Sequence, residues 1–324
     1  MLYTMKFKPR LKELIWGGAK LLAKKQVRAD KSKLYGESWD ISCVKGDLSV
    51  AENGMLKGNN LQELIEVYMG DLVGEKIFEK FGLEFPLLIK TLDCNDVLSV
   101  QVHPDDALAA ERHNSFGKTE MWFVTACEPG ASIYIGFSDP EITREKYLDA
   151  VSGGYLPTLL NKVEVKAGDA FFIPAGMVHA LGKGVEVVEI QQTSDITYRI
   201  YDWDRVGADG KPRELHTTLA VDAIDFTRRP EECIIKCSPV AGESVNVAKC
   251  EYFTTNLLAI DGETEKDYAH LDSFVIYMCI GGEIHLEYDG GAETVKDGDT
   301  ILIPAELNDV TLKGKGTLLE VYIA

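Results

Sequence analysis

An internal repeat limits what this chain can fold into more than any other feature of its sequence. Segment 166–181 reads KAGDAFFIPAGMVHAL and segment 296–312 reads KDGDTILIPAELNDVTL, so both run from Lys-x-Gly-Asp through an apolar stretch to Ile-Pro-Ala. Upstream, CEPGASIYI at 127–135 resembles CIGGEIHLEY at 279–288, in the same order. A chance similarity of two Gly-Asp turns is the alternative. The repeat predicts two copies of one β domain within the 324 residues.

Short strand patterns separated by turn residues dominate the sequence between residues 85 and 203. Helical patterns are fewer. Segment 59–72 has an apolar stripe after an asparagine that can cap it, and segment 104–113 begins with a proline and two acids, which suit a helix start. Many strands with few helices favour a sandwich or a barrel. We therefore predict a mainly β protein with a few short helices inserted in its N-terminal part.

The joint between the two copies is predicted where charge and a proline interrupt the strand pattern. TRRPEEC at 227–233 is such a segment, typical of a domain boundary. We therefore place the first domain at residues 1–230 and the second at residues 231–324.

The charge balance excludes several classes of partner. The net charge is −18, from 34 basic and 52 acidic residues, whereas nucleic acids and anionic membranes are bound by basic patches. A small anionic substrate remains compatible, because a few local Lys and Arg side chains suffice to hold it. The sequence has no apolar run long enough to span a bilayer, and charges are spread through its first 18 residues. We expect a cytoplasmic protein without a signal peptide.

Polar side chains within apolar strands indicate a metal site in the first copy. In LSVQVHPDD, Gln101 and His103 are two residues apart and share one face of a strand. Glu120 begins the strand EMWFVTA, and His179 ends the pattern Gly-x5-Pro-x-Gly-x2-His. These stretches resemble the two motifs of the cupins, small jelly-roll barrels that often hold a metal ion through inward-facing histidines. For any one of these residues, an ordinary buried polar group is the alternative.

The four side chains offer an amide oxygen, a carboxylate and two imidazoles. This set suits a borderline divalent ion and leaves a position for water or substrate. Zinc is our first choice, and ligand type alone leaves manganese and iron open. The cupin resemblance implies that the two copies are cupin-type jelly-roll β-barrels.

The second copy lacks the corresponding ligands. Asp309 takes the place of His179, Glu306 takes the place of a motif glycine, and segment 274–281 contains no Gln-x-His or His-x-His pair. A lone carboxylate without imidazole partners makes a poor zinc site. We therefore expect one zinc ion per chain, bound in the first copy.

Four motifs in a fixed order narrow the resemblance to one family. SVQVHPDD, GKTEMWFV, FFIPAGMVHALGKG and EIQQTSDITYRIYDWDR, with WGG and GESWDIS near the N-terminus, resemble the type I mannose-6-phosphate isomerases in their short bacterial form. The resemblance covers nearly the whole chain. It implies a zinc-dependent interconversion of D-mannose 6-phosphate and D-fructose 6-phosphate, with a sugar phosphate as the small-molecule partner. It also matches Gln101, His103, Glu120 and His179 to the family's metal ligands.

The same resemblance implies roles for five further residues. Arg199 matches the family's catalytic arginine, and Glu189 matches an acidic residue that lines its active site. Ser99, Lys90 and Lys118 match positions near the substrate. These residue types suit the chemistry, because moving a carbonyl between C1 and C2 requires a proton transfer and a stabilised enediolate.

Other interpretations stay open from the sequence. Arg199 could instead form a salt bridge with Asp202 or Asp204, and Lys90 and Lys118 could be solvated strand ends. A bicupin oxygenase or decarboxylase with iron or manganese is the alternative enzyme, although such sites usually resemble His-x-His. A sugar-phosphate-binding bicupin without catalysis is a third possibility, against which the intact ligand set weighs.

Overall fold

The computed structural model describes residues 2–207 and 210–324, and most of its regular structure is strand. The strands up to the predicted joint and just after it are β1 (Met5–Lys6), β2 (Arg10–Gly18), β3 (Tyr35–Ile41), β4 (Leu87–Cys94), β5 (Val100–Val102), β6 (Glu120–Cys127), β7 (Ser132–Phe137), β8 (Leu160–Glu164), β9 (Ala170–Ile173), β10 (His179–Leu181), β11 (Val185–Gln192), β12 (Tyr198–Tyr201) and β13 (Ile234–Ile235). The later strands are β14 (Ser244–Lys249), β15 (Thr254–Asp267), β16 (Val275–Tyr288), β17 (Gly291–Lys296), β18 (Thr300–Ile303) and β19 (Asp309–Tyr322). The helices are α1 (Lys20–Lys24), α2 (Leu61–Val73), α3 (Glu75–Phe81), α4 (Asp106–His113), α5 (Arg144–Gly153) and α6 (Thr217–Ala223).

The first repeat contains two sheets that face each other. One has five strands in the order β12-β5-β10-β7-β8, and the other has seven in the order β13-β9-β6-β11-β4-β3-β2. Trp122 and Val124 of the larger sheet pack in one apolar cluster with Ile133 and Leu181 of the smaller sheet. The predicted mainly β fold is confirmed. Its described strands form separate facing sheets, however, and are not joined by hydrogen bonds into closed barrels.

Two of the helices, α2 and α4, begin where sequence capping signals place them. Asn60 and Glu63 form a capping box at the start of α2, each side chain accepting a hydrogen bond from the other's backbone N–H, at 3.0 and 2.8 Å. Asp105 caps α4 in a similar way, through the backbone N–H of Leu108. Both predicted helices are therefore confirmed. Among the described residues, no helix is long and apolar enough to cross a membrane.

The second repeat is a single sheet of seven strands. Its order is β1-β18-β16-β19-β15-β14, with β17 paired to β16. Strands β15, β16 and β19 are each 14 residues long, and side chains such as Tyr277 and Leu318 pack in a core of their own. Gly282 has a φ of +84°, and a Cβ there would lie 2.2 Å from the backbone oxygen of Lys315. Only glycine fits this close approach of β16 and β19.

The Gly-Asp turn of the sequence repeat has the same hydrogen bonds in both copies. The Asp169 carboxylate accepts from the backbone N–H of Lys166 at 2.9 Å, and the Asp299 carboxylate accepts from that of Lys296 at 3.1 Å. The intervening glycines have φ values of +93° and +89°. The sequence repeat is therefore also a structural repeat, and it gives residue-by-residue equivalences between the two copies.

One apolar core joins the two repeats. Met121 and Ile190 point from the outer face of the seven-stranded sheet into the same cluster as Phe253, Phe274 and Leu319 of the second repeat. The second repeat therefore packs against the back of the sheet whose inner face lines the space between the two sheets of the first.

Two short strands cross between the repeats. β1, near the N-terminus, pairs with β18 of the second repeat, with Met5 opposite Leu302. β13, which follows residue 230, pairs with β9 of the first repeat. Each repeat therefore contains one strand from the other side of residue 230. The sheets do not divide at that residue, and the two-domain division stays a prediction.

Candidate metal centre and active site

Three side chains with metal-binding atoms meet between the two sheets of the first repeat. His103 directly follows β5 and His179 begins β10 in the five-stranded sheet, while Glu120 begins β6 in the seven-stranded sheet. Nε2 of His103 lies 3.6 Å from Oε2 of Glu120, and Nε2 of His179 lies 3.4 Å from Oε1. All three residues are buried, and their donor atoms lie within 4.8 Å of one another. A single divalent ion could contact all three.

Backbone carbonyls fix which nitrogen of each imidazole faces the centre. Nδ1 of His103 lies 3.0 Å from the oxygen of Ile196, and Nδ1 of His179 lies 2.8 Å from the oxygen of Met177. Since a carbonyl only accepts, each Nδ1 must carry the proton, and each Nε2 lone pair is left toward Glu120. This second contact is the usual way in which proteins orient a metal-binding histidine.

The centre lacks the partners that buried polar atoms normally have. Both carboxylate oxygens of Glu120 and Nε2 of His179 are buried without a hydrogen-bond partner among the described residues. Burial and the nearby Glu189 raise the pKa of Glu120 to about 8, and burial lowers the pKa of His179 to about 4. Burial, with Lys118, also lowers the pKa of His103 well below its ordinary value. Neutral imidazoles and a carboxylate are the donors that a divalent cation requires.

The strand register places Gln101 on the sheet face that carries the centre. On β5 it lies opposite His179 of β10 on one side and opposite Arg199 of β12 on the other. Directly opposed residues of antiparallel strands point to the same face of the sheet. The Gln101 amide therefore shares its face with His179 and Arg199, and it can offer a fourth ligand oxygen.

Lys118 stands against the same three-residue cluster. Its Nζ lies 3.0 Å from Nε2 of His103 and 3.4 Å from Oε2 of Glu120. Lys90 lies in the seven-stranded sheet, and both lysines are about 5% exposed. The interpretation of Lys90 and Lys118 as solvated strand ends is therefore wrong. Adjacent carboxylates offset the cost of burying the two ammonium groups.

Glu189, on β11, forms a buried ion pair that faces the centre. Its Oε1 accepts a hydrogen bond from Nζ of Lys90 at 2.8 Å, and its Oε2 accepts one from the indole N–H of Trp122 at 3.0 Å. Burial alone would raise the pKa of Glu189, but Lys90 and Lys118 outweigh it and lower that pKa to about 2. Glu189 is therefore an ionised carboxylate with a donor on each oxygen.

Arg199 is held by neutral partners. Its Nε lies 3.3 Å from the Ser99 hydroxyl, and one of its terminal nitrogens donates to the backbone oxygen of Glu214 at 3.0 Å. Its backbone N–H donates to Nδ1 of His216 at 3.1 Å. Burial and the neighbouring Arg213 lower the pKa of Arg199 below its ordinary value.

The acids proposed as salt-bridge partners of Arg199 have other partners. Asp202 binds Arg205 and Arg213, at 2.7 and 2.6 Å, and Asp204 accepts a hydrogen bond from the Tyr201 hydroxyl. Among the described residues, no carboxylate forms an ion pair with Arg199. The salt-bridge interpretation is therefore wrong, and the charge of the guanidinium is left for another anion.

The structure adds residues that the sequence analysis did not assign. Trp122 lies two residues after Glu120 on the same strand face, and this spacing was a visible signal. Trp39 lies under the ammonium of Lys90, 5.3 Å from its ring centre, and His216 supports Arg199 from the segment before α6. No local pattern indicates the last two, because their partners lie far away in sequence.

A repeated β fold with a buried His–Glu–His cluster between facing sheets is the architecture of a cupin-type protein with a metal-capable centre. Residues 4–121 match the family described as phosphomannose isomerase type I, catalytic domain, and residues 243–323 match the mannose-6-phosphate isomerase cupin domain. The chain belongs to the type I phosphomannose isomerase family.

Individual relatives support this membership along the whole chain. Mannose-6-phosphate isomerase ManA of Bacillus subtilis is 36% identical over 318 residues, covering 95% of each chain. The mannose-6-phosphate isomerase of Streptococcus mutans is 34% identical over 291 residues, covering 90% of this chain and 89% of that one. The crystal structure of the Bacillus subtilis mannose 6-phosphate isomerase superposes with a TM-score of 0.88 at 34% identity, covering 99% of this chain and 100% of that one. The predicted family and enzyme class are confirmed.

Proposed function

We propose that the protein interconverts D-mannose 6-phosphate and D-fructose 6-phosphate at one zinc ion held by Gln101, His103, Glu120 and His179. The observation that carries this proposal is the convergence of three buried donor side chains, of which Glu120 and His179 have inward atoms without hydrogen-bond partners among the described residues. Membership of the family, and the names of its relatives, support the substrate and the reaction.

Zinc fits the donors that these residues offer. Two imidazole nitrogens, one carboxylate and one amide oxygen would suit a borderline ion and would leave a position for water or substrate. When bound, such an ion supplies Lewis acidity that polarises a substrate oxygen. The buried, neutral imidazoles make binding possible near neutral pH without first removing a proton from nitrogen.

Arg199 is assigned the stabilisation of the enediolate oxyanion that forms as the proton moves between C1 and C2. It lies opposite Gln101 in the five-stranded sheet, so its guanidinium is on the ligand face. Ser99 and the backbone of Glu214 hold it in place without neutralising it. A preorganised cation of this kind is typically worth more in a water-poor site than in solution.

Lys118 is assigned to the anionic substrate. The Lys118 ammonium lies 3.0 Å from Nε2 of His103, and with that nitrogen bound to an ion the ammonium would be available to an anion instead. Ser99, beside Arg199, is assigned a hydroxyl contact in the same region. Lys90 stays paired with Glu189, so we assign it to orientation of the substrate and not to neutralisation of the phosphate.

Glu189 is assigned an electrostatic role and not that of the proton-transferring base. A general base works best when its pKa lies near the working pH, and the pKa of Glu189 is lowered to about 2. Its fixed negative charge instead holds Lys90 and balances the cations around the centre.

The proposal is tested by a coupled assay with mannose 6-phosphate, run together with metal analysis. Protein stripped by a chelator should lose turnover, and added zinc should restore it, with one ion retained per chain after desalting. Full turnover in a verified metal-free sample would contradict the metal role. Failure to convert mannose 6-phosphate with zinc or any other divalent ion would contradict the substrate assignment.

A further inference from the structure

The side chain of Trp122 contacts two groups of the proposed centre at once. Its indole N–H donates to Oε2 of Glu189 at 3.0 Å, and its ring meets the ring of His179 edge to face, with centroids 5.3 Å apart. Trp122 is 1% exposed, so neither contact is shared with solvent. Register explains the geometry, because Trp122 on β6 lies directly opposite Glu189 on β11.

We infer that Trp122 is a positioning residue for the isomerase reaction, which fixes the Glu189 carboxylate relative to the His179 ring. The inference rests on the proposed function, in which these two groups serve one centre. Each oxygen of Glu189 has a different donor, Lys90 on Oε1 and Trp122 on Oε2. Without the hydrogen bond from the indole N–H, the Glu189 carboxylate can rotate about its Cγ–Cδ bond. The Lys90 ammonium, which is hydrogen-bonded to Oε1, then moves with it.

A merely structural tryptophan is the alternative. A buried indole needs an acceptor for its N–H, and a carboxylate satisfies that need wherever it lies. The two interpretations differ in what happens when only the N–H is removed. Trp122→Phe keeps an aromatic ring against His179 and deletes the donor, so it separates positioning from packing.

The first measurement compares Trp122→Phe with Trp16→Phe. Trp16 is a second buried tryptophan of the same apolar cluster, and it makes no hydrogen bond to the proposed centre. Because hydrogen bonds to charged groups are among the stronger ones, we expect kcat of Trp122→Phe to fall by about tenfold or more. KM for mannose 6-phosphate should stay near wild type, and Trp16→Phe should keep its kcat. Equal losses in the two variants would leave only the packing role.

The second measurement is a double-substitution cycle. If Trp122 acts through Glu189, then Trp122→Phe should cost nothing more once Glu189→Ala has removed the acceptor, and the double variant should match Glu189→Ala within about twofold. If the losses in kcat from the two single substitutions multiply in the double variant, the inference is overturned, because Trp122 would then affect the rate independently of Glu189.

The third measurement does not depend on activity. Indole N–H signals are followed by two-dimensional NMR of ¹⁵N-labelled, metal-free protein, and Trp122→Phe assigns the Trp122 signal. Glu189→Gln replaces a charged acceptor with a neutral one, so the Trp122 signal should move upfield. The Trp203 signal should stay in place, because its acceptor is the backbone oxygen of Leu98.

The three results separate this inference from the proposed function. An unmoved Trp122 signal in Glu189→Gln overturns the inference, whatever the enzyme does. A shifted signal together with full activity of Glu189→Gln would confirm the contact but remove the electrostatic role of Glu189 from the proposed function, and with it the positioning role of Trp122.

Discussion

In the first repeat, Glu189 has one donor on each oxygen, and beside it Glu120 and His179 present buried atoms that have no hydrogen-bond partner within residues 2–207 and 210–324. In the second repeat, Glu320 lies opposite Tyr277 as Glu189 lies opposite Trp122, and the two carboxylates are equivalent by strand register. The side chains of four residues donate to or pair with Glu320, namely Ser244, Asn256, Lys266 and Tyr268. Both equivalent carboxylates are therefore hydrogen-bonded, but only the first repeat also has, among the described residues, a neighbouring buried carboxylate without hydrogen-bond partners, that of Glu120.

The second repeat also lacks metal-binding side chains at the positions equivalent to Glu120 and His179. Glu120 pairs with β9, and Val275 pairs with the equivalent position of β18, so Val275 corresponds to Glu120. By the Gly-Asp repeat, Asp309 corresponds to His179. Val275 is apolar, and Asp309 is exposed at the start of β19. The comparison teaches that a shared fold and one retained buried carboxylate do not make a metal-capable site. The first repeat differs in the neighbouring Glu120 and His179, whose buried atoms lack hydrogen-bond partners among the described residues.

The largest expected effect comes from equivalent positions in the two repeats. His179→Ala removes an imidazole ligand, so we expect no measurable turnover of mannose 6-phosphate and no retained zinc, as also for His103→Ala. Asp309→Ala, at the equivalent exposed position, should keep full turnover and one zinc per chain. Metal analysis and the coupled assay on the same samples check both. Zinc retained by His179→Ala but lost from Asp309→Ala would reverse the comparison.

A smaller effect follows from exchanging the two kinds of cation. Arg199→Lys keeps the charge but loses the planar fork, so we expect turnover to fall on the order of 100-fold. The reciprocal change in the second repeat, Lys266→Arg, keeps a cation near Glu320 and should leave turnover at the wild-type value. Steady-state kinetics of both variants is the measurement. If the two variants have equal rates, Arg199 has no special role.

Next comes the buried carboxylate of the second repeat. Glu320→Gln weakens several charge-assisted hydrogen bonds in a buried site, so we expect the free energy of unfolding to fall by about 1–3 kcal/mol. Turnover and zinc content in the native protein should not change. Urea unfolding and the coupled assay, applied to the same variant, measure the two effects. A loss of zinc from Glu320→Gln would mean that the second repeat takes part in the metal site.

The smallest effect is a pH dependence of that stability. Burial alone would raise the pKa of Glu320, but Lys266, Tyr268 and Asn256 outweigh it and lower the pKa in the folded protein. The stabilisation is therefore complete above the unfolded pKa of about 4.3 and is lost as the pH falls through the folded value. Urea midpoints of the wild type and Glu320→Gln should differ at pH 7 and converge under acid. A constant difference would assign the effect to packing.

Local patterns predict much of this protein. The capping box at Asn60, the Gly-Asp turns and the alternation around His103 all depend on residues a few positions apart, and their structures follow the sequence. The mainly β class and the family follow from such patterns in a fixed order. The proposed ligand set, drawn from the same motifs, stays a prediction until the metal is measured.

Contacts across the fold could not be predicted in the same way. Lys90 and Glu189 are 99 residues apart, and their ion pair depends on the register of β4 with β11. The acceptor of Trp122 and the Ile196 carbonyl that orients His103 also lie on distant segments. The Glu320 carboxylate likewise has its four hydrogen-bond and ion-pair partners at separate positions of the sequence. Each of these is set by how strands pair, and a sequence pattern shows only which strands can form.

The strand exchange between the repeats has a consequence for how the chain is made. Met5 pairs with Leu302, so β1 is synthesised long before the strand with which it pairs. Contacts of such long sequence separation form slowly. Until then, β18 is an uncovered sheet edge, and such edges invite pairing with other chains. The chain therefore has an exposed sheet edge, open to pairing with other chains, from the time β18 folds until β1 docks on it.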